Sequence, residues 1–220
     1  MSEDPNIARA ARLETATLSD ALDRLGIVGQ CRGISSRDPQ FRLVGRARTL
    51  LYGPPGVPVG TVGDYIDDVG QGEVIVLDNG GREDVTVWGD ILTEIAHRRG
   101  LGGTVIDGIC RDVHLCRSLR YPIFSRGHWM RTGKDRVQVE SLDTPVTIGE
   151  ARVAAGDLLV GDPDGVVVLP RAHEERILAI AEEIHQVEEA IRTAVRGGQR
   201  LDEARKVFRY HSLQTREKFT

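Results

Sequence analysis

Between residues 74 and 106 the chain changes its apolar rhythm twice. Val74-Ile75-Val76-Leu77 is an unbroken apolar run closed by Asp78-Asn79-Gly80-Gly81, the pattern of a fully buried strand entering a turn. A helical pattern then runs through Trp88, Ile91, Leu92, Ile95 and Ala96 and stops at Gly100. Thr104-Val105-Ile106 follows as a second buried run leading to Asp107-Gly108. Strand, helix and strand in about 35 residues predict a right-handed βαβ unit with parallel strands.

Around this unit the pattern is more broken. Thr17-Leu18-Ser19-Asp20 has the shape of a capping box and opens a short helix through Ala21, Leu22 and Leu25 before Gly26. From Cys31 to Gly72, Gly and Pro alternate with short apolar runs, which predicts strands and long connections. A short helix is expected over Val113 to Leu119, ended ahead of Pro122, and then a strand at Ile123-Phe124. Residues 137–169 alternate β-rich runs with Gly and Asp turns, so this half reads as mainly β. Ala172 to Val195 is a long amphipathic helix with Ile177, Ile180, Ala181, Ile184, Val187 and Ile191 on one face. The fold class expected is α/β, with one domain over residues 1–198 and a charged extension over 199–220. That extension is expected to form a further helix, available to a neighbouring subunit.

Composition narrows the chemistry. Of 29 basic residues only Lys134, Lys206 and Lys218 are lysines, and none stands in an apolar segment, which argues against Schiff-base catalysis. The arginine excess is most simply a codon bias. A net charge of −4 and the lack of a basic stripe with interleaved aromatics argue against nucleic-acid binding. No stretch is apolar enough to span a bilayer, and the acidic N-terminus does not resemble a signal peptide, so a cytoplasmic protein with no membrane partner is expected. Cys31, Cys110 and Cys116 form no Cys-x-x-Cys and are expected to be buried, reduced thiols.

The densest polar cluster beside the apolar strands joins Gly89-Asp90-Ile91-Leu92, at the start of the crossover helix, to Arg111-Asp112, just past the second strand. Both fall on the carboxyl-end rim of the parallel strands, where ligands of α/β sheets bind. The amides of Ile91 and Leu92, at a helix N-terminus, suit an organic carboxylate, and Gly89 permits close approach. Arg111 can hold a carboxylate or an enolate oxygen, and Asp112 can ligate a hard cation such as Mg²⁺ or Mn²⁺. The same two residues also fit a surface ion pair or a cap on the next helix.

The run Trp88-Gly89-Asp90-Ile91-Leu92, with Arg98-Arg99-Gly100-x-Gly102-Gly103-Thr104-Val105-Ile106-Asp107-Gly108-x-x-Arg111-Asp112, resembles the RraA-like family. That family holds the regulators of ribonuclease E activity and the divalent-metal 4-hydroxy-4-methyl-2-oxoglutarate aldolases. Gly156-Asp157 and Asp162-x-Asp164-Gly165-Val166-Val167-Val168-x-Pro170 extend the resemblance, to roughly residues 15–190. It implies a swivelling β/β/α-type domain and a homotrimer or hexamer. It also implies a pyruvate-forming class II aldolase acting on 4-hydroxy-2-oxo diacids, with oxaloacetate decarboxylation alongside. By the same resemblance Asp112 binds Mg²⁺ or Mn²⁺, Arg111 steadies the enolate oxygen, the Gly89 to Leu92 turn holds the pyruvate carboxylate, and Asp90 orients metal-bound water. The alternative within the family is a non-catalytic inhibitor of an RNA-degrading endonuclease.

One departure stands out. Aldolase members carry an acidic residue three positions after the metal-binding aspartate, where this chain has Leu115, preceded by His114. Asp162 or Asp164 could supply such a carboxylate from a neighbouring subunit. His114 is expected to be an exposed helical residue, the alternative being a hydrogen bond to metal-bound water; His97 is expected to be a C-terminal helix cation, and His128-Trp129 to form a packed loop, the alternative being to line a pocket.

Overall fold

Two short helices, α1 (Pro5–Ala10) and α2 (Thr15–Leu25), lead the chain in the computed structural model, which describes residues 4–213. Then come β1 (Ser35–Ser36), β2 (Leu43–Gly53), a 3-10 turn (Asp64–Asp68), β3 (Val74–Thr86), α3 (Asp90–Arg98), β4 (Gly103–Cys110), α4 (Val113–Leu119) and β5 (Ile123–His128). The second half holds β6 (Gln138–Leu142), β7 (Val146–Ile148), β8 (Ala151–Val153), β9 (Leu158–Asp162), β10 (Gly165–Leu169), α5 (Glu174–Arg196), α6 (Leu201–Val207) and α7 (Tyr210–Leu213). Lys218 and the first three residues lie outside the described residues.

The main sheet has the order β1-β5-β4-β3-β2-β9-β10, with β6 also on β2. Strands β2, β3, β4 and β5 pair in parallel, and β9, β10, β6 and β1 join antiparallel. Beta 2 is long enough to serve three neighbours: its first residues pair with β9, its middle with β3 and its last with β6. One core packs β2 to β5 with α3 and α4, and a second packs β9 and β10 under α1, α2 and α5. The expected βαβ unit is β3-α3-β4, and the mixed α/β character is as expected.

Two local expectations give way to longer-range forces. Asp78-Asn79-Gly80-Gly81 does not end β3. Gly80 and Gly81 take φ of 60° and 69°, the left-handed region glycine tolerates, and the register with β4 shifts there, so the strand bulges and continues to Thr86. The capping box at Thr17 is not used either. Helix α2 begins at Thr15, whose N–H and hydroxyl both donate to the buried carboxylate of Asp162, at 2.8 and 2.6 Å, and Thr17 is buried inside the helix. It stops at Gly26, which has the left-handed φ of 67°. The tail does form a helix, but α6 packs on α5 of its own chain with Ala204 buried. Among the described residues no helix is long and apolar enough to cross a membrane.

Arginine ties the chain ends to the sheet. Arg46 on β2 bonds Asp4, at 2.6 Å, and Glu174 at the start of α5, while Asn6 donates to Glu174 at 3.0 Å. Burial pushes the Asp4 and Glu174 carboxyls up, but the Arg46 and backbone or Asn6 hydrogen bonds outweigh it and hold both below their ordinary values. Carboxyls lowered on folding stabilise above the unfolded pKa, near 4, and lose that contribution as pH falls through the folded value. Arg46→Met should therefore cost about 2–3 kcal/mol at pH 7, somewhat less than for a fully buried pair. In urea melts the gap from wild type should narrow below about pH 4; a gap independent of pH would contradict this account.

Candidate active site

Parallel pairing brings the two polar turns together. Strands β3 and β4 run side by side, and beyond the bulge Val87 N–H donates to Ile109 O at 3.4 Å and Arg111 N–H to Trp88 O at 2.9 Å. This stitching sets Gly89, the residue before α3, against the residues that follow β4. Trp88 is buried, stacks on Tyr121 with ring centroids 6.1 Å apart, and donates from Nε1 to the Thr93 hydroxyl, which in turn donates to Gly89 O at 2.8 Å. The first turn of α3 is thus fixed from behind.

At the rim, Asp112 stands in the left-handed conformation (φ 57°, ψ 39°), a strained setting that aspartate tolerates better than most residues. Its Oδ2 accepts the Asp90 N–H at 3.1 Å and lies 3.2 Å from Arg111 Nε. A Cβ on Gly89 would fall 3.0 Å from both Arg111 Nε and Asp112 Oδ2, so glycine keeps this junction tight. Asp90 is exposed, and its own Oδ1 accepts the Ile91 amide at 2.8 Å. A ligand carboxylate can take that amide only when Asp90 turns outward.

Two cavities meet at Arg111. The first, about 370 Å³, is lined by Gly89, Asp90, Ile91, Leu92 and Arg111 at one end and by the 62–67 segment, Ile95 and the 132–134 turn elsewhere. The second, about 400 Å³, is lined by Arg111, Asp112, Val113, His128, Trp129 and Met130. All six residues singled out in the sequence therefore meet at one rim, with Asp112 on the second cavity.

The sequence did not point to the 62–67 and 132–134 segments. Lys134 stands in the turn after Gly133 and lines the first cavity. It is exposed, so the desolvation that activates a Schiff-base lysine is lacking. His128 closes β5 and, with Trp129, lines the second cavity, the alternative to a packed loop. His97 and His114 are exposed, as expected. The three thiols are buried, and burial pushes Cys31 and Cys116 up to about 12 and raises Cys110, so they offer no thiolate nucleophile.

These features agree with the resemblances found elsewhere. A family profile described as RraA-like (Aldolase/RraA) matches residues 15–168. The chain belongs to the RraA-like family. Protein DlpA of Legionella pneumophila is 37% identical over 199 residues, 89% of this chain but 32% of DlpA, so the chain spans about a third of that relative. A Halalkalibacterium halodurans protein provisionally named 4-hydroxy-4-methyl-2-oxoglutarate aldolase is 31% identical over 189 residues, 86% of this chain and 88% of its own. An uncharacterized Pseudomonas syringae pv. tomato protein superposes with a TM-score of 0.86 at 41% identity, covering 91% of this chain and 96% of its own. Streptomyces coelicolor RraAS2, described as an unusual member of the RNase ES inhibitor RraA protein family, superposes at 0.77 with 29% identity, covering 85% and 95%.

In this RraA-like chain the acidic partner three residues after Asp112 is absent: Leu115 is half-buried, and its N–H donates to Asp112 O at 3.0 Å. Among the described residues no group of three or more His, Cys, Asp or Glu could hold a metal. Asp162 is spent on the start of α2, and Asp164 lines a different cavity with Thr15, Gln30 and Arg32. Asp112 still fits a hard cation that keeps most of its water, since Mg²⁺ is commonly held by one or two carboxylates, and its Oδ1 carries no hydrogen bond among the described residues.

Two variants test this division of labour. Gly89→Ala should leave the thermal midpoint within about 3 °C of wild type, because only flexible side-chain ends must move, yet weaken at least about tenfold the affinity of this rim for a small carboxylate, with pyruvate as the calorimetric probe. Asp162→Ala should lose about 1–2 kcal/mol of stability as α2 loses its cap, with the affinity for the same probe unchanged.

Proposed function

We propose that the chain is a divalent-metal-dependent pyruvate aldolase that cleaves 4-hydroxy-2-oxo diacids of the 4-hydroxy-4-methyl-2-oxoglutarate type, with oxaloacetate decarboxylation as a side activity. The observation that carries this reading is the junction of the Gly89 turn, Arg111 and Asp112 on one oxygen, 3.1–3.2 Å from its partners, at the carboxyl-end rim. The name of the Halalkalibacterium relative supports it.

The substrate's 1-carboxylate lies on the N-terminal amides of α3, where the helix dipole favours an anion. Arg111 faces the 2-oxo oxygen, and its guanidinium stabilises the negative charge that grows there as the C3–C4 bond breaks. The 4-hydroxyl gives up its proton as C4 becomes a carbonyl. The electron pair of the broken bond passes to the enolate, and C3 takes up a proton to complete pyruvate. Mg²⁺ or Mn²⁺, when held by Asp112 and water, supplies a further positive charge that polarises the 2-oxo group. Asp90, exposed beside this junction, is a carboxylate able to hold the departing proton or its water. Oxaloacetate would pass through the same enolate, with CO₂ leaving in place of the carbonyl product.

A trimer or hexamer belongs to this reading, supported by the exposure of Ile91, Trp129 and Met130 around the rim. A second reading, an endonuclease inhibitor, is supported by the likeness to RraAS2. A lactate dehydrogenase-coupled assay separates the two. Pyruvate release should require Mg²⁺ or Mn²⁺ and vanish in Asp112→Ala, and Arg111→Ala should lower kcat about 10²–10³-fold. Absence of metal-dependent pyruvate, together with capture of a ribonuclease that survives EDTA and Arg111→Ala, would favour the inhibitor instead.

A further inference from the structure

The first cavity extends well past the junction where the oxo acid head sits. At about 370 Å³ it falls in the range that encloses ligands much larger than a three-carbon acid. Its apolar lining is Val62, Ile66, Leu92 and Ile95, together with Val87 and Trp88. Its remaining ionisable groups are the carboxylates of Asp64, Asp67 and Asp90 against the single ammonium of Lys134. With Arg111 engaged by the head, a second substrate carboxylate would meet more negative than positive charge. An apolar chain meets carbon.

The apolar wall is also held in place. Gly63 packs so closely on α3 that a Cβ there would lie 2.7 Å from Leu92 Cδ2. Val62 O accepts the Tyr52 hydroxyl at 2.6 Å, and Gln138 Oε1 accepts the Gly56 and Gly60 amides at 2.8 and 2.7 Å. The loop is pinned at three points, so the wall exists before a ligand arrives and its apolar surface need not be assembled on binding.

From this geometry we propose that the preferred substrate carries an uncharged alkyl or aryl chain of several carbons at C4, received by the Val62, Ile66, Leu92 and Ile95 wall, and that a second carboxylate is not required. The inference rests on the pyruvate-forming reaction of that reading and sets a C4 chain-bearing monoacid in place of its diacid as the preferred substrate. The bond changes are those given above; only the carbonyl product differs, an aldehyde or ketone with an apolar chain.

The test compares cleavage of 4-hydroxy-2-oxo acids bearing propyl, pentyl or phenyl at C4 with that of 4-hydroxy-2-oxoglutarate and its 4-methyl homologue, using the full chain with Mg²⁺ or Mn²⁺. Alongside it, calorimetry compares binding of the uncleavable 2-oxo-octanoate and 2-oxoglutarate. We expect kcat/KM to rise roughly fourfold per methylene up to pentyl and to exceed that of the diacids at least about tenfold, with 2-oxo-octanoate the tighter ligand. Ile95→Ala should flatten the chain-length dependence, and Asp64→Lys, at an exposed position, should raise diacid cleavage without loss of fold. Diacids cleaved as well as or better than the chain-bearing acids, with 2-oxoglutarate bound more tightly, would overturn this inference and leave the aldolase reading standing. No metal-dependent pyruvate from any acid would overturn the aldolase reading. In that case the two binding constants still decide whether the wall prefers an apolar chain.

Discussion

One carboxylate oxygen, Oδ2 of Asp112, holds the rim together. It takes the first amide of α3 and sits against Arg111, so the start of one helix and the residues after the neighbouring strand are fastened through a single atom. The fastening is possible because β3 and β4 are parallel neighbours whose carboxyl ends finish side by side, and because Asp112 adopts a left-handed backbone that turns its side chain back over the strand ends. The strain of that conformation is offset by two charge-assisted contacts, in keeping with the general tendency of strained residues to gather where a ligand must be met. The consequence for chemistry is a division within one side chain: Oδ2 is structural, and Oδ1 is left for whatever binds.

Legibility in the sequence follows the range of the forces involved. The β3-α3-β4 unit and the helices α4 and α5 were readable because each is set by its own apolar period. The bulge at Gly80-Gly81 was not, since two glycines after a buried run look the same whether the chain reverses or continues, and only pairing with β4 decides it. Likewise the start of α2 is chosen by Asp162, more than a hundred residues away, over a good local capping box. At the site, Gly89 to Leu92, Arg111 and Asp112 announced themselves through adjacency to buried strands. The 62–67 wall and Lys134 come from loops with no period at all, and their part in the cavity is a product of the tertiary fold.

The arginine excess gains a structural side from the same contacts. Arg46 joins α1, β2 and α5 through Asp4 and Glu174; Arg9 grips Glu182 with two nitrogens; and Arg126 pairs with the buried Asp107 on β4 while Gly149 N–H bonds the other oxygen of that carboxylate. A planar fork satisfies two acceptors at once where an ammonium is a point charge. Codon bias remains a sufficient source for the arginines, but several of them do what lysine could not.

The two ends of the first cavity are built by different means, and that difference bears on how such a site diversifies. The head end rests on strand termini, a helix N-terminus and Asp112, where a shift in any one part breaks contacts in the other two. The far end is a glycine- and proline-rich loop pinned to a scaffold it does not help to hold together. Substitution at Val62 or Asp64 alters what the cavity accepts without touching the Asp112 junction, whereas substitution at Gly89 alters the junction itself. A fold arranged this way can keep one polar junction while exchanging the wall that faces it.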